Sequence, residues 1–551
     1  MATFDLIREP WVPVVRRGRA EMVSLRECLL DAHTIDGLAF EAPLEMVAVL
    51  RQVLLPVYLD AMFAAPAVGD GQPAPPPADV DEWKTLWDRT KDRLDGDRLD
   101  AYLAIHTHRF DLFGQQPFAQ VAGLRTGTGE GDKTKPVSLL IASASSGNNV
   151  PLFSARTESD PPALSPAAAA RALLAAQCWD TAGIKSGVEG DPQARAGKTT
   201  GNRTGPLGAL GVVVPQGSTL AETLLLNTPI MSQPFPAADR PQWRAAASDE
   251  TCPGRPAWSQ RSPLGLLDLL TWQARRIRLV PEEGAGDGPV VRRVVLAAGD
   301  RLPETPLMEP HTGWKLAQGA KVATPDRHRP GRAAWRGLPA LLATTPNASG
   351  TVTSPRVLGD IRRLQADGCL PNDLPVQVRT VGVRYGTQSA VVEDVMSDQI
   401  PLPLVALDPA GPVRELLDEV VASAERLREA ANRFGDDLRQ ASGGDKLPWD
   451  RGQRLGDGLI SEYTPVVRRL LAGLQHEPDR WEEADDAWRF SARRRALALI
   501  EPALAATPPR AFLGSTRDKV VRRANLAEAR YRSSVNEAVP APQPPPGMGD
   551  A

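Results

Sequence analysis

The sequence predicts an α+β protein: a large mixed α/β N-terminal domain over residues 1–400, then a C-terminal antiparallel four-helix bundle over residues 413–538. Three features predict it. Before residue 400, a strongly apolar, helix-length run (Leu44 to Leu59) shares the chain with a clear strand, Val290 to Leu296, and a stretch that alternates as strands do, Val376 to Val383. Pro401 to Pro412 then holds four prolines and reads as a linker, residues 401–412. Beyond it, apolar residues recur at helical spacing in four successive stretches.

At 551 residues the chain exceeds what one hydrophobic core organises, so two or more domains are expected. Hydrophobic residues make up 42%, enough for packed cores. No run of about 18 apolar residues is read as a membrane span, and the N-terminus lacks a basic-then-apolar secretion signal. A cytoplasmic protein without membrane contact is expected. Cys28, Cys178, Cys252 and Cys369 lie far apart and form no Cys-x-x-Cys pair, which points away from a zinc knuckle or a disulfide framework. A formal charge of −3 excludes a coat of basic residues but leaves room for a local basic face.

In chain order, Phe4 to Ile7 and Trp11 to Val15 read as a strand pair around Arg8-Glu-Pro10. Glu21 to Leu25 leads into a short helix, with Ser24 as N-cap and Glu27 at capping-box spacing. Ala64 to Pro77 is an irregular Ala/Gly/Pro loop, and Trp83, Leu86, Trp87, Leu94 and Leu99 return to mostly helical spacing. Arg109 to Val121 is expected as a packed, aromatic turn and strand, and Val137 to Ala142 as a strand opening into the polar loop Ser143 to Phe153. Arg332 to Leu342 reads as a helix, and Val376 to Val383 runs into a hairpin tip carrying Gln388. The bundle faces are Val413/Leu416/Leu417/Val420/Ala424/Leu427, Leu459/Tyr463/Val466/Leu470/Leu474, Trp488 to Ile500, and Val520 to Tyr531. Residues 539–551 are a proline-rich tail expected to be disordered.

The stretch of greatest interest follows the alanine-rich helical run Ala167 to Gln177. Trp179 to Gly190 halts that helix with small residues, and Gly183 and Gly187 let a partner approach the main chain. Lys185 sits between them, and Arg195, Lys198 and Arg203 follow among Gly, Thr and Asn. A rigid helix thus delivers a bare, basic, hydrogen-bonding loop suited to a phosphate backbone; the alternative is a surface loop that happens to be basic. A second basic concentration lies between Arg489 and Arg532, where eleven basic residues face three acidic ones, Arg494, Arg495, Arg522 and Arg523 among them. Such a run is often only a solvated face; two neighbouring helices with the same bias favour a basic groove.

Signs of catalysis are sparse. Gly197-Lys-Thr199 fails as a phosphate-binding P-loop because position 192 is proline and no strand feeds it. His106-x-His108 offers two metal ligands without an evident third. No Gly-x-Ser-x-Gly occurs and no paired carboxylates stand in a recognisable frame, so neither an enzyme nor a resident cofactor is expected.

Several motifs, in order and spacing, resemble one family. These are Phe4-Asp-Leu-Ile-Arg-Glu-Pro-Trp-Val-Pro13, Phe110 to Leu124, Gly147-Asn-Asn-Val-Pro-Leu-Phe153, Gly183-Ile-Lys-Ser-Gly187, Leu224-Leu-Leu-Asn-Thr-Pro229 and Glu309-Pro-His-Thr-Gly-Trp314. Together with the terminal bundle they resemble CasA, the large subunit of Cascade, the type I-E CRISPR surveillance complex. The resemblance implies an RNA-guided, DNA-binding assembly whose other subunits hold the guide RNA. Its large subunit checks a short protospacer-adjacent motif (PAM) from the minor groove, wedges the duplex open and recruits a nuclease–helicase. By resemblance the reading loop is Thr181-Ala182-Gly183, the wedge is Gln388 flanked by Thr387 and Ser389, and the guide-contacting loop is Asn148 to Phe153, with Asn149. A lysine finger implied near residues 298–301 has no lysine here; Arg301 is the nearest cation. Paired cysteines that hold zinc in some relatives are lacking. The basic bundle helices suit the displaced single strand, an electrostatic, sequence-tolerant task. Two other readings stay open: a structural assembly subunit, and a metal-dependent nuclease at His106 and His108.

Overall fold

A computed structural model of the protein describes residues 2–66, 74–126, 133–144, 160–246, 254–284, 288–343, 352–448, 454–517 and 520–540. The chain divides into two compact units. The first comprises Met1–Arg332, Thr344–Cys369 and Gln377–Gln399; the second comprises Ala333–Ala343, Leu370–Val376 and Ile400–Ala551. The break near residue 400 matches the proline-dense segment, but the second unit also takes two pieces from before it.

In the first unit, strands β1 (Val12–Arg16) and β2 (Arg19–Val23) pair antiparallel around Arg17 and Gly18, both at positive φ. The expected partner of β1, Phe4 to Ile7, is instead a turn whose Leu6 amide donates to Phe110 O. Helix α1 (Leu25–Leu30) starts with the predicted capping box, Ser24 and Glu27 satisfying each other's backbone amides. Helix α2 (Pro43–Ala64) contains two π-helical segments, Leu50–Leu54 and Asp60–Ala64. It is long and apolar enough to span a membrane by length and composition, against the sequence expectation of no such run, yet its apolar window is wholly buried as a core helix. Arg51, Gln52 and Asp60 lie in its π segments and are buried there. Their partners come from far along the chain: Glu309 and His311 for Arg51, Cys178 for Gln52, Arg244 and Tyr102 for Asp60.

Helices α3 (Val80–Thr90) and α4 (Gly96–His106) follow, with Trp83 and Trp87 stacked at 5.3 Å. The aromatic segment after them packs Phe110 and Phe118 against Trp243 as a series of turns without a strand. Val137–Leu140 is a 3₁₀ turn, where a strand was expected over Val137 to Ala142: so short a mostly apolar run does not distinguish the two. Helix α5 (Pro166–Trp179) leads into β3 (Gly183–Ser186), β4 (Lys198–Asn202) and β5 (Val212–Gln216). The long hairpin β6 (Arg275–Glu283) and β7 (Pro289–Ala298) forms the backbone of one sheet, and β3 joins it parallel to β7 through Ser186 and Ala297. Val121, Leu124, Val188, Val295 and Ala297 make a buried cluster beside it. A second sheet orders β9 (Val392–Leu402), β8 (Val376–Tyr385) and β5. Arg332 to Leu342 is a 3₁₀ turn and a four-residue helix, shorter than expected because Pro339 and Gly337 interrupt it.

In the second unit, α6 (Pro412–Ala441) packs against α7 (Leu455–His476), α8 (Trp481–Ala498) and α9 (Ala524–Ala538). The predicted faces of α6 and α7 are buried, with Val466 half-exposed; in the two later stretches Trp488, Ile500 and Tyr531 are buried but Phe490, Val521 and Leu526 are exposed. Trp488 Nε1 donates to Ser423 Oγ at 3.0 Å, and Tyr531 stacks on Phe434 at 4.8 Å. Two expectations are corrected. Residues 401–412 are not a free linker: Leu402, Leu404, Ala406 and Leu407 are buried in a strand end and a 3₁₀ turn. The last helix begins at Ala524, because Val520–Arg522 pairs with Ser515–Arg517 as a small hairpin. Val539 is buried against the bundle, so the tail begins later than residue 539; residues 541–551 lie outside the described residues.

Candidate nucleic-acid interface

The loop at 180–187 is built from its preceding helix. Ser165 caps α5 and Pro166 occupies its first turn, where a missing amide costs nothing. Alanines let α5 lie close to α2, and Trp179 Nε1 donates to Leu44 O at 3.2 Å. Gly205 comes so near the end of the helix that a Cβ there would sit 2.3 Å from the Cys178 backbone. The chain then turns through Thr181 and Ala182 to Gly183, whose φ of +116° only glycine adopts readily.

Asp180 is the electrostatic centre of this turn. Its carboxylate accepts from Lys185 Nζ at 2.6 Å and from Arg275 Nε. Burial alone would raise the Asp180 pKa, but the two cations more than offset it and hold the carboxyl below its ordinary range. Burial lowers the Lys185 pKa against the pull of Asp180. Lys185 is therefore not the free cation the sequence suggested: its side chain is 10% exposed and committed to Asp180. The exposed residue of the loop is Ile184, at 63%. Arg275 extends the scaffold by donating to Thr181 O at 2.9 Å and Arg203 O at 2.7 Å.

The hairpin tip between β8 and β9 reaches the same loop. Ala182 N donates to Ser389 O at 2.9 Å, and Tyr385 Oη donates to Trp179 O at 2.6 Å. Gln388 and Ser389 both hold positive φ, 56° and 55°, an uncommon and strained conformation for residues with side chains. Thr387 and Gln388 are exposed, and no intramolecular partner is recorded for the Gln388 side chain among the described residues. Residues 181–185, Gln388, Trp179, Leu44 and Leu140 border one cleft of about 770 Å³.

Arg301 does not project freely. It lies 3.8 Å over the Trp258 ring, and its Nη2 donates to Thr200 O at 2.6 Å and Asn202 Oδ1 at 2.9 Å. Asn202 in turn donates to Gly183 O at 2.9 Å, so Arg301 braces the loop through it. Asn148, Asn149 and Phe153 lie outside the described residues. In the second unit, Arg494 and Arg523 are exposed and Arg495 is half-buried, and among the described residues their side chains form no hydrogen bond or salt bridge. Arg522 differs: it sits in the small hairpin, 3.4 Å from Asp437. His106 packs edge-on to Tyr102, and burial lowers its pKa to about 4. Among the described residues no group of three His, Cys, Asp or Glu is placed to hold a metal.

Sequence reasoning missed Asp180, Arg275, Asn202 and Tyr385. The one available signal was Arg275-Arg276 opening a strand with the apolar residues Ile277, Leu279 and Val280, since a charge inside a buried strand needs a partner.

These features define a two-unit α+β protein whose loop and hairpin tip form one contact surface. Residues 5–499 match the family of CRISPR-associated protein Cse1. The chain is 30% identical over 510 residues to CRISPR-associated protein CasA/Cse1 of Thermus thermophilus, covering 90% of this chain and 89% of that one. Thermobifida fusca Cse1 superposes with a TM-score of 0.81 at 31% identity, over 98% of both chains. A chain of a CRISPR RNA-guided surveillance complex shares the fold at 20% identity, TM-score 0.64, over 97% of this chain and all of that one. The chain belongs to the Cse1 (CasA) family, the large subunits of the type I-E CRISPR surveillance complex Cascade.

Proposed function

We propose that the chain is the non-catalytic DNA-recognition subunit of an RNA-guided antiviral complex in the cytoplasm. It reads the PAM through the minor groove, opens the adjacent duplex to begin the R-loop, and recruits a nuclease–helicase. The observation that carries this reading is the Ala182–Ser389 hydrogen bond, which joins the glycine loop to the hairpin tip and leaves Gln388 presented beside it. Thr181, Ala182 and Gly183 offer mainly backbone groups. The minor groove offers a degenerate pattern of acceptors with one guanine donor, which such contacts read permissively. Leaving the rest of the sequence to base pairing is the logic of RNA-guided recognition.

Gln388, backed by Thr387 and Ser389, is the wedge. Opening a base pair costs a few kcal/mol, which an inserted amide and backbone contacts offset. Lys185 and Arg301 act here as supports of the loop through Asp180 and Asn202. Asn148, Asn149 and Phe153 contact the guide RNA and neighbouring subunits, while Arg494, Arg495 and Arg523 track the displaced strand, with Arg522 tied to Asp437. The test is Gln388→Ala in the guide-loaded complex: strand opening, followed by a base-analogue fluorophore, weakens more than initial duplex binding. Equal loss of both contradicts the wedge.

A further inference from the structure

Next to the reading loop lies a small niche of about 80 Å³ bordered by Arg203, Arg275, Arg301, Gly205 and Leu302. Small-molecule pockets begin at roughly 300 Å³, so a nucleotide or cofactor does not fit, whereas a single oxyanion does.

The charge around it is uneven. Three guanidiniums line the niche with two carboxylates, Asp300 and Glu304. Asp300 is already shared between Arg261 (3.0 Å) and Arg276 (2.7 Å), and Glu304 is exposed. Arg275 has committed its donors to Asp180, Ala274 O, Thr181 O and Arg203 O. Arg301 has not. Its Nη2 serves Thr200 and Asn202, while among the described residues its buried Nε has no partner and its Nη1, near Gly201, makes no hydrogen bond. Arg203 is exposed, and among the described residues its side chain makes one hydrogen bond, from Nη1 to Pro303 O. Burial, then the neighbouring Arg275 and Arg203 cations, lower the Arg301 pKa against the attraction of Asp191. Cations gathered this way with spare donors are satisfied by an anion from outside.

We propose that the niche takes one phosphate of the DNA backbone, held between Arg203 and the Nη1 donors of Arg301. This rests on the DNA-binding reading above and deepens it: Arg203 becomes a register-setting contact that positions the duplex without reading its bases. The niche abuts the Gly201–Asn202 segment that carries Gly183, so a phosphate seated there fixes the distance between the backbone and the reading loop.

The experiment measures binding of PAM-bearing and PAM-less duplexes by the guide-loaded complex across a salt series, with the wild-type chain, Arg203→Gln, Arg203→Lys and Arg203→Gln/Arg301→Gln. Each neutralised phosphate contributes about 0.9 to the slope of log K against log salt. The double variant is expected to lose about 0.9 from that slope, and not twice that, because both cations serve one phosphate. Arg203→Gln, which leaves the Arg301 brace intact, weakens both duplexes by the same factor, and Arg203→Lys restores most of the slope. An unchanged slope in both glutamine variants, with PAM discrimination intact in Arg203→Gln, overturns the niche alone. Loss of guide RNA from the variant complexes, with DNA slopes unchanged, overturns it in favour of an RNA phosphate. A wild-type complex that shows no PAM discrimination overturns the niche and the reading beneath it together.

Discussion

The Ala182 amide donates to the Ser389 carbonyl at 2.9 Å, so the reading loop and the hairpin tip are one unit although more than 200 residues separate them in the chain. Because the bond uses only main-chain groups, it leaves the Gln388 side chain exposed. A displacement of either element is therefore felt by the other, and that coupling underlies the predictions that follow.

Gln388 holds φ +56° at the tip, a conformation that glycine adopts at little cost. Gln388→Gly is expected to leave thermal stability equal or raised, by up to about 1 kcal/mol, while strand opening is lost. Denaturant melts of the chain beside opening assays of the complex check both halves. A large destabilisation would mean that the side chain has a structural role at the tip.

Asp180 neutralises two buried cations, and removing one partner of a buried pair typically costs 3–5 kcal/mol. Asp180→Asn should destabilise the chain by about 3 kcal/mol in urea titrations. Lys185→Met added to it should recover part of that loss, since one uncompensated charge disappears. Arg275 remains without a full partner, so recovery is incomplete.

His311 offers a pH-dependent check. Its Nε2 donates to Asn227 Oδ1 at 2.9 Å and its Nδ1 accepts from Arg51, which pairs with Glu309 at 2.5 Å. Burial, then Arg51, holds the imidazole well below its ordinary pKa, so the folded chain keeps it neutral. The unfolded chain binds that proton below about pH 6.5, so this site's contribution is complete above that pH and declines as the pH falls. His311→Gln keeps a donor and an acceptor but cannot titrate. It should be less stable than wild type at pH 8, with the gap narrowing from pH 6.5 to 5 by up to about 1.4 kcal/mol per pH unit. A gap independent of pH contradicts the neutral assignment.

The four bundle arginines should not behave alike. Reversing Arg494, Arg495 and Arg523 to glutamate should expose the displaced strand to nuclease while leaving the melting temperature within a few degrees. Arg522→Glu should instead lower stability, because it replaces the cation beside Asp437 with a second carboxylate. Unchanged nuclease protection in the triple variant removes the bundle from the displaced strand's path.

How much of this was legible depended on whether the deciding interaction was local. The capping box at Ser24 and Glu27, the periodic faces of α6 and α7, and the hairpin carrying Gln388 depend on neighbours a few residues apart, and each stands where the sequence placed it. Lys185 was misread as a free cation because the glycines on either side of it, Gly183 and Gly187, imply exposure, and Arg301 was singled out only as the cation nearest to the lysine finger that the resemblance implies. Their partners, Asp180 with Arg275 and Trp258 with Asn202, are fixed by sheet pairing that no local pattern records. The two sheets also bring residues 180, 202, 275 and 389 around one loop, an arrangement set by long-range register and the parallel pairing of β3 with β7. Val520–Arg522 was misplaced for a related reason: so short a run of apolar and basic residues fits a strand and a helix turn equally.

The central claim is that this chain confers PAM recognition on the complex. The most direct measurement is binding of PAM-bearing and PAM-less duplexes by the guide-loaded complex assembled with and without it, at one stated salt concentration. Discrimination between the duplexes is predicted only in the complex that contains the chain. Discrimination that persists without the chain, or is absent with it, contradicts the account.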